Sequence, residues 1–76
     1  MLFKKEVVVC VNKEWVKLQK TILSDEKAFD AVEELLANGY KKDKGYRRKR
    51  FQCYFKENAD DSYTYVFFER LLDKKG

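Results

Sequence analysis

Residues Ser24–Gly39, SDEKAFDAVEELLANG, decide the fold, because they are the one stretch with clear helical periodicity. Apolar residues recur there at spacings of three and four and form one stripe: Ala28, Phe29, Val32, Leu35 and Leu36. Ser24 can cap the first turn, since its hydroxyl can accept a hydrogen bond from an otherwise unpaired backbone amide. Gly39 supplies the left-handed residue that closes a helix. The segment therefore predicts a helix whose apolar stripe packs against the rest of the chain.

The sequence around this helix has strand character. Residues 2–11 and 15–23 are joined by a polar turn and predict one hairpin, and residues 46–56 and 63–72 predict a second hairpin after the helix. A short additional strand at residues 40–42 is also compatible with the pattern. We therefore expect an α+β fold in ββαββ order, with a small antiparallel sheet of about four strands and the helix packed on one face.

Alternation within the strands also predicts the core. The residues expected to face the helix are Val16, Leu18, Ile22, Phe51, Cys53 and Phe55. The first and last strands, however, are apolar on both faces. One helix, about 10–12 Å across, does not cover four strands that together span roughly 19 Å. Sheet curl, homodimerisation or a partner could each use the apolar surface left over.

Length and composition indicate one domain, residues 1–76, in a cytoplasmic protein. No apolar run is long enough for a membrane span or a signal-peptide core, so we expect no membrane partner. The chain has no histidine and no glycine-rich phosphate loop, which argues against an enzyme, catalytic residues and cofactors. Cys10 and Cys53 are predicted to be reduced core thiols, with a disulfide between adjacent strands as the alternative. Without histidine or a close cysteine pair, a metal site is not expected.

The strongest functional signal is a basic segment directly after the helix. Residues 41–50, KKDKGYRRKR, carry seven cations and one anion, a net charge of +6. Cations beside phosphates release condensed counterions, and an aromatic ring can stack on an unpaired base, which contributes about 1–3 kcal/mol. The sequence therefore predicts contact with DNA or RNA through the following residues: Lys42, Lys44, Tyr46, Arg47, Arg48, Lys49, Arg50 and Tyr54. Arg48, Arg50 and Tyr54 are expected to share one strand face. A solvated hairpin that discourages edge-to-edge aggregation is the plainer interpretation.

The alternative function is a protein-interaction or inhibitor module. The helix segment, residues 25–40, has a net charge of −4, and the last strand is rich in aromatic residues and could form a sheet edge. Such a surface suits a protein partner, since aromatic residues are enriched at the centres of interfaces. Its candidate residues are Asp30, Glu33, Glu34, Tyr63, Tyr65 and Phe67. A small size with this lysine- and aromatic-rich composition is typical of phage and mobile-element proteins.

Overall fold

The computed structural model describes residues 1–46 and 48–71, which form five strands and one helix. The elements are β1 (Leu2–Val11), β2 (Glu14–Ser24), α1 (Asp25–Ala37), β3 (Lys41–Lys42), β4 (Phe51–Glu57) and β5 (Tyr63–Leu71). The predicted α+β class, with an antiparallel sheet and one helix, is confirmed. The predicted four strands in ββαββ order are wrong, because Lys41 and Lys42 pair with Phe55 and Tyr54 and add a fifth strand.

The strand order in the sheet is β2-β1-β5-β4-β3, and every neighbouring pair is antiparallel. Both predicted hairpins, β1–β2 and β4–β5, are present. The suggestion that the last strand could form a sheet edge is wrong, because β5 lies in the middle of the sheet, between β1 and β4. A bulge between Val7 and Val8 leaves Leu18 of β2 without a partner in the ladder. The sheet edges are therefore β2 and the very short β3.

The segment between β3 and β4 forms turns rather than the first part of a long strand. Asp43 organises it: its carboxylate accepts a hydrogen bond from the Gly45 amide at 3.0 Å, and its carbonyl accepts one from the Tyr46 amide at 3.2 Å. Arg50 adopts a positive φ of 68°, which an extended strand does not allow. The predicted strand over residues 46–56 therefore begins only at Phe51. We call residues 43–50 the basic loop; Arg47 lies outside the described residues.

Helix α1 packs on one face of the sheet. Ser24 caps it by accepting a hydrogen bond from the Lys27 amide at 3.4 Å, and Gly39 closes it with a φ of 90°. Its side chains pack on the most buried cluster of the sheet, which contains Tyr54, Val66 and Phe68; the helical residues in contact are Ala31, Val32 and Leu35. Two members of the predicted stripe lie outside this contact: Phe29 is 66% exposed and Leu36 is 51% exposed.

Cys53 is 1% exposed and is a core residue as predicted, but the prediction that the β4 and β2 residues form the core facing the helix is wrong. Tyr54 lies on the helix side, so Phe51, Cys53 and Phe55 lie on the opposite face of the sheet. Both faces of β4 carry aromatic rings, and alternation alone does not distinguish which face meets the helix. On β2, an edge strand, the three predicted core residues are at least half exposed: Val16, Leu18 and Ile22. Ile22 opposes Lys4 on the face away from the helix, and Leu18 lies at the bulge.

Candidate nucleic-acid interface

The sheet face opposite α1, here called the open sheet face, is lined with aromatic rings. The register places Tyr65 of β5 beside Phe55 of β4, and it aligns Trp15 of β2 with Cys10 of β1 and Tyr63 of β5. Directly opposed residues in a ladder point to the same side of the sheet. The aromatic side chains on this face from the three strands are Trp15, Phe51, Phe55, Tyr63, Tyr65 and Phe67.

Tyr65 is the hub of this surface. Its ring centroid lies 5.1 Å from that of Trp15, 6.1 Å from that of Phe67, and 6.3 Å from those of Phe55 and Tyr63. Burial raises the pKa of Tyr65 above its ordinary value, so the phenol stays neutral at physiological pH. The centroid distances place these rings in contact with Tyr65 across three strands of the sheet.

The basic loop folds onto this face. The Tyr46 ring packs against Phe67 at a centroid distance of 5.4 Å, and the Asp43 amide donates to the Cys53 carbonyl at 2.8 Å. Beneath the loop, Cys53 is only 1% exposed, and burial, with a smaller effect of the Asp43 carboxylate, raises its pKa to about 11. Successive ring contacts thus run from Tyr46 through Phe67 and Tyr65 to Trp15. We call these four rings the aromatic row.

The predicted phosphate-binding cations project into solvent. The exposed members within the described residues are Lys42, Lys44, Arg48, Lys49 and Arg50. In the described part of the chain, no carboxylate forms an ion pair with any of them. The Arg48 guanidinium lies 5.4 Å above the Phe51 ring, which holds it beside the open sheet face. Lys42 is the exception in placement: it opposes Tyr54 and therefore lies on the helix side. The prediction for Arg47 falls outside the described residues.

Tyr54 does not join these residues. It is 5% exposed, its ring meets Phe68 edge-on at 5.9 Å, and its hydroxyl donates to the Gln52 side chain at 3.3 Å. Burial raises its pKa as well. The expectation that Tyr54 shares a strand face with Arg48 and Arg50 is wrong, because the two arginines precede β4 and the tyrosine points into the core. Its ring is not accessible for stacking on a base.

The alternative protein interface is divided by the sheet. Asp30, Glu33 and Glu34 are exposed on α1, whereas the aromatic candidates of β5 lie on the open sheet face. One flat partner surface cannot contact both groups at once, since the sheet lies between them. The aromatic half alone remains a candidate for a protein partner.

A charge network borders the aromatic row on the open sheet face. Lys17 Nζ lies 2.7 Å from Glu6, and Lys4 Nζ lies 3.0 Å from Glu69 and 3.6 Å from Glu6. The hydrogen bond from Lys17 is the main cause of the lowered pKa of Glu6, and the hydrogen bond to Glu69 is the main cause of the raised pKa of Lys4. Within this network the two cations and two anions balance.

Both cysteines are free thiols, as predicted, but only Cys53 is a buried core residue; Cys10 is partly buried. The alternative, a disulfide between adjacent strands, is wrong because β5 separates β1 from β4. Two strand spacings, about 9.6 Å, exceed the roughly 7 Å between Cα atoms that a disulfide spans. Within residues 1–46 and 48–71, no group of three or more acidic or cysteine side chains is placed to hold a metal ion.

Sequence reasoning missed Trp15 as a surface residue. Trp15 is 57% exposed, and it lies on the open sheet face. The signal that could have placed it was the polar turn at residues 12–13, which puts Trp15 near the exposed tip of a hairpin. No helix in the described part of the chain is long and apolar enough to cross a membrane. The chain matches no protein family, no curated protein and no solved structure.

Proposed function

We propose that this protein is a small, non-enzymatic binding protein that contacts nucleic acid through the basic loop and the open sheet face. The observation that carries the proposal is the packing of Tyr46 on Phe67 at 5.4 Å. This contact joins the most cationic segment of the chain to the uncovered aromatic face, so charge and stacking surface are adjacent.

Each half of this surface has a physical role. The exposed lysines and arginines of the basic loop can neutralise phosphates, which releases counterions and favours binding whatever the sequence. The aromatic rings can stack on bases, which is how many sheet-based proteins hold RNA and single strands. The absence of competing carboxylate partners for these cations within the described residues supports the proposal, because no internal ion pair has to break on binding.

The proposal is tested by the salt dependence of binding to labelled DNA and RNA, measured by fluorescence anisotropy. Replacing two loop cations, Lys44→Gln with Lys49→Gln, should reduce the slope of log K against log salt by roughly 1.4 for a single strand and 1.8 for a duplex. The matched control is Lys27→Gln with Lys56→Gln, which removes the same charge from the helix side of the molecule and should leave the slope nearly unchanged.

If the two double variants have equal slopes of log K against log salt, the basic loop is not part of the interface. Non-specific contacts alone have dissociation constants of about 10⁻⁴–10⁻⁶ M near physiological salt. Loss of binding at that salt concentration would therefore contradict nucleic-acid binding as the function.

A protein partner, or a second copy of this chain, is the second candidate. The observation in its favour is the uncovered open sheet face, on which Trp15 is 57% and Tyr63 is 37% exposed. Such a partner would compete with nucleic acid for the same rings. Sedimentation at high micromolar concentration separates the possibilities: a dimer that nucleic acid does not dissociate would favour the protein interface.

A further inference from the structure

We propose that the open sheet face takes single-stranded rather than duplex nucleic acid, and that Trp15 is a base-stacking residue of this site. The inference rests on the proposed function and adds the form of the ligand. It also adds a residue on the same face as the basic loop, on β2 at the opposite edge of the sheet from β3.

The aromatic row leads directly from the cations to Trp15. Its ring centroids are separated by 5.4 Å from Tyr46 to Phe67, 6.1 Å from Phe67 to Tyr65, and 5.1 Å from Tyr65 to Trp15. The middle rings are half-buried by their neighbours, whereas Trp15 is 57% exposed. A strand whose phosphates are held at the basic loop can therefore extend along the row, and the indole offers the most accessible aromatic surface along it.

The form of the ligand follows from what each half of the site can reach. A duplex presents phosphates on its outside and keeps its base faces covered by stacking, so the cations of the basic loop could bind either form. The rings of the aromatic row lie on a sheet and can stack only on bases whose faces are free. The row therefore discriminates in favour of a single strand, while the loop does not.

The charges beside Trp15 are compatible with a polyanion. Lys17, two residues further along β2, pairs with Glu6 at 2.7 Å; its side chain is 62% exposed, against 18% for the glutamate. An approaching phosphate thus meets the ammonium group before the carboxylate. Together with the exposed cations of the basic loop, of which Arg48 lies 5.4 Å above the Phe51 ring, this gives the site the charge complementarity that a nucleic acid requires.

Trp15 is the single tryptophan of the chain, so its intrinsic fluorescence reports directly on this site. The experiment titrates the protein, near physiological salt, with oligo(dT), oligo(rU) and a mixed-sequence duplex of the same length. We expect quenching of Trp15 by the single strands, and weaker binding of the duplex. By anisotropy, Trp15→Ala should weaken single-strand binding about 5- to 150-fold, and Trp15→Phe should retain part of the affinity.

Phe29→Ala is the matched control. Phe29 is also an exposed aromatic residue, 66% accessible, but it lies on α1 on the other side of the sheet. Its replacement should leave single-strand affinity unchanged, and circular dichroism should show that all three variants are folded.

The outcomes distinguish a failure of this inference from a failure of the proposed function. Equal affinity for single strand and duplex, with no quenching and no effect of Trp15→Ala, would overturn the inference and leave a loop-mediated nucleic-acid function standing. No binding of any probe near physiological salt would overturn both.

Discussion

Two tyrosines of the same segment, Tyr46 and Tyr54, have opposite environments. Tyr46 lies in the basic loop and packs on the open sheet face against Phe67, whereas Tyr54 lies in β4 and packs into the core against Phe68. The difference comes from backbone position: strand alternation places residue 54 on the helix side, and the turn centred on Asp43 brings residue 46 over the other face. At the scale of single residues, the same amino acid thus packs in the core in one place and, in the other, lies on the surface for which we propose nucleic-acid contact.

Replacing Tyr54 by leucine separates these roles. The variant keeps an apolar side chain in the core but loses the ring, so unfolding free energy should fall by about 1–2 kcal/mol. Because the Tyr54 ring is 5% exposed, nucleic-acid affinity should not change. Urea denaturation measures the first quantity and anisotropy the second. A variant of unchanged stability but weakened affinity would make Tyr54 a ligand-contacting residue.

The sequence indicates the exposure of the loop cations but not the placement of Tyr54. A run of lysine and arginine is costly to bury, so its exposure could be predicted from charge alone. For β4 the alternation separates Phe51, Cys53 and Phe55 from Tyr54, yet both sets are apolar. Choosing the face that meets the helix requires knowledge of the neighbouring strands, which a local pattern does not contain.

At the scale of elements, only part of the apolar stripe predicted for helix α1 packs against the sheet. Leu35 packs on the core, while Leu36, one residue on and about 100° around the helix, is 51% exposed. Helical periodicity predicts both as apolar positions, because the stripe is broad. The contact with the sheet is narrower, since the helix meets a small cluster centred on Val66.

This adjacent pair provides an internally controlled test. Leu35→Ala should lower the unfolding free energy by about 2 kcal/mol, because it removes methyl groups that pack against the core cluster. Leu36→Ala makes the same chemical change at a half-exposed position and should cost less than about 1 kcal/mol. Chemical denaturation of both variants measures the difference. Equal costs would contradict the orientation of the helix on the sheet.

The hairpins could be predicted because their signals are local. Each depends on a turn between two nearby apolar runs, as at residues 12–13 and 58–62. The pairing of β1 with β5 has no such signal, since Val7 meets Val66 from the other end of the chain. The central position of β5, and with it the aromatic composition of the open sheet face, therefore emerges only from the tertiary arrangement.

For the whole molecule, β5 is the strand on which the sheet depends. It pairs with β1 on one side and β4 on the other, and its Val66 is 1% exposed. Loss of a contact there should weaken both halves of the sheet together. The two hairpins have no other strand pairing that connects them among the described residues.

Val66→Ala should lower the unfolding free energy by about 2 kcal/mol, from two lost methyl groups at roughly 0.8 kcal/mol each and a small cavity. Native-state hydrogen exchange should show β1 and β4 amides exchanging faster by the same free energy, because both are released when β5 opens. Val16→Ala on β2, at a position 51% exposed, is the control and should cost less than about 1 kcal/mol. Faster exchange confined to one hairpin would contradict a cooperative sheet.

The central place of β5 has a consequence for biosynthesis. Among the described strands it is the last to be translated, yet it lies between two that leave the ribosome earlier. Until it arrives, the first hairpin has no neighbour on its β1 side, and Val7, Val8 and Val9 of the nascent chain remain open to other contacts. Assembly of the sheet is thus deferred until β5 has been synthesised. In that interval the growing polypeptide presents an unpaired strand edge that a chaperone, or another nascent chain, can reach.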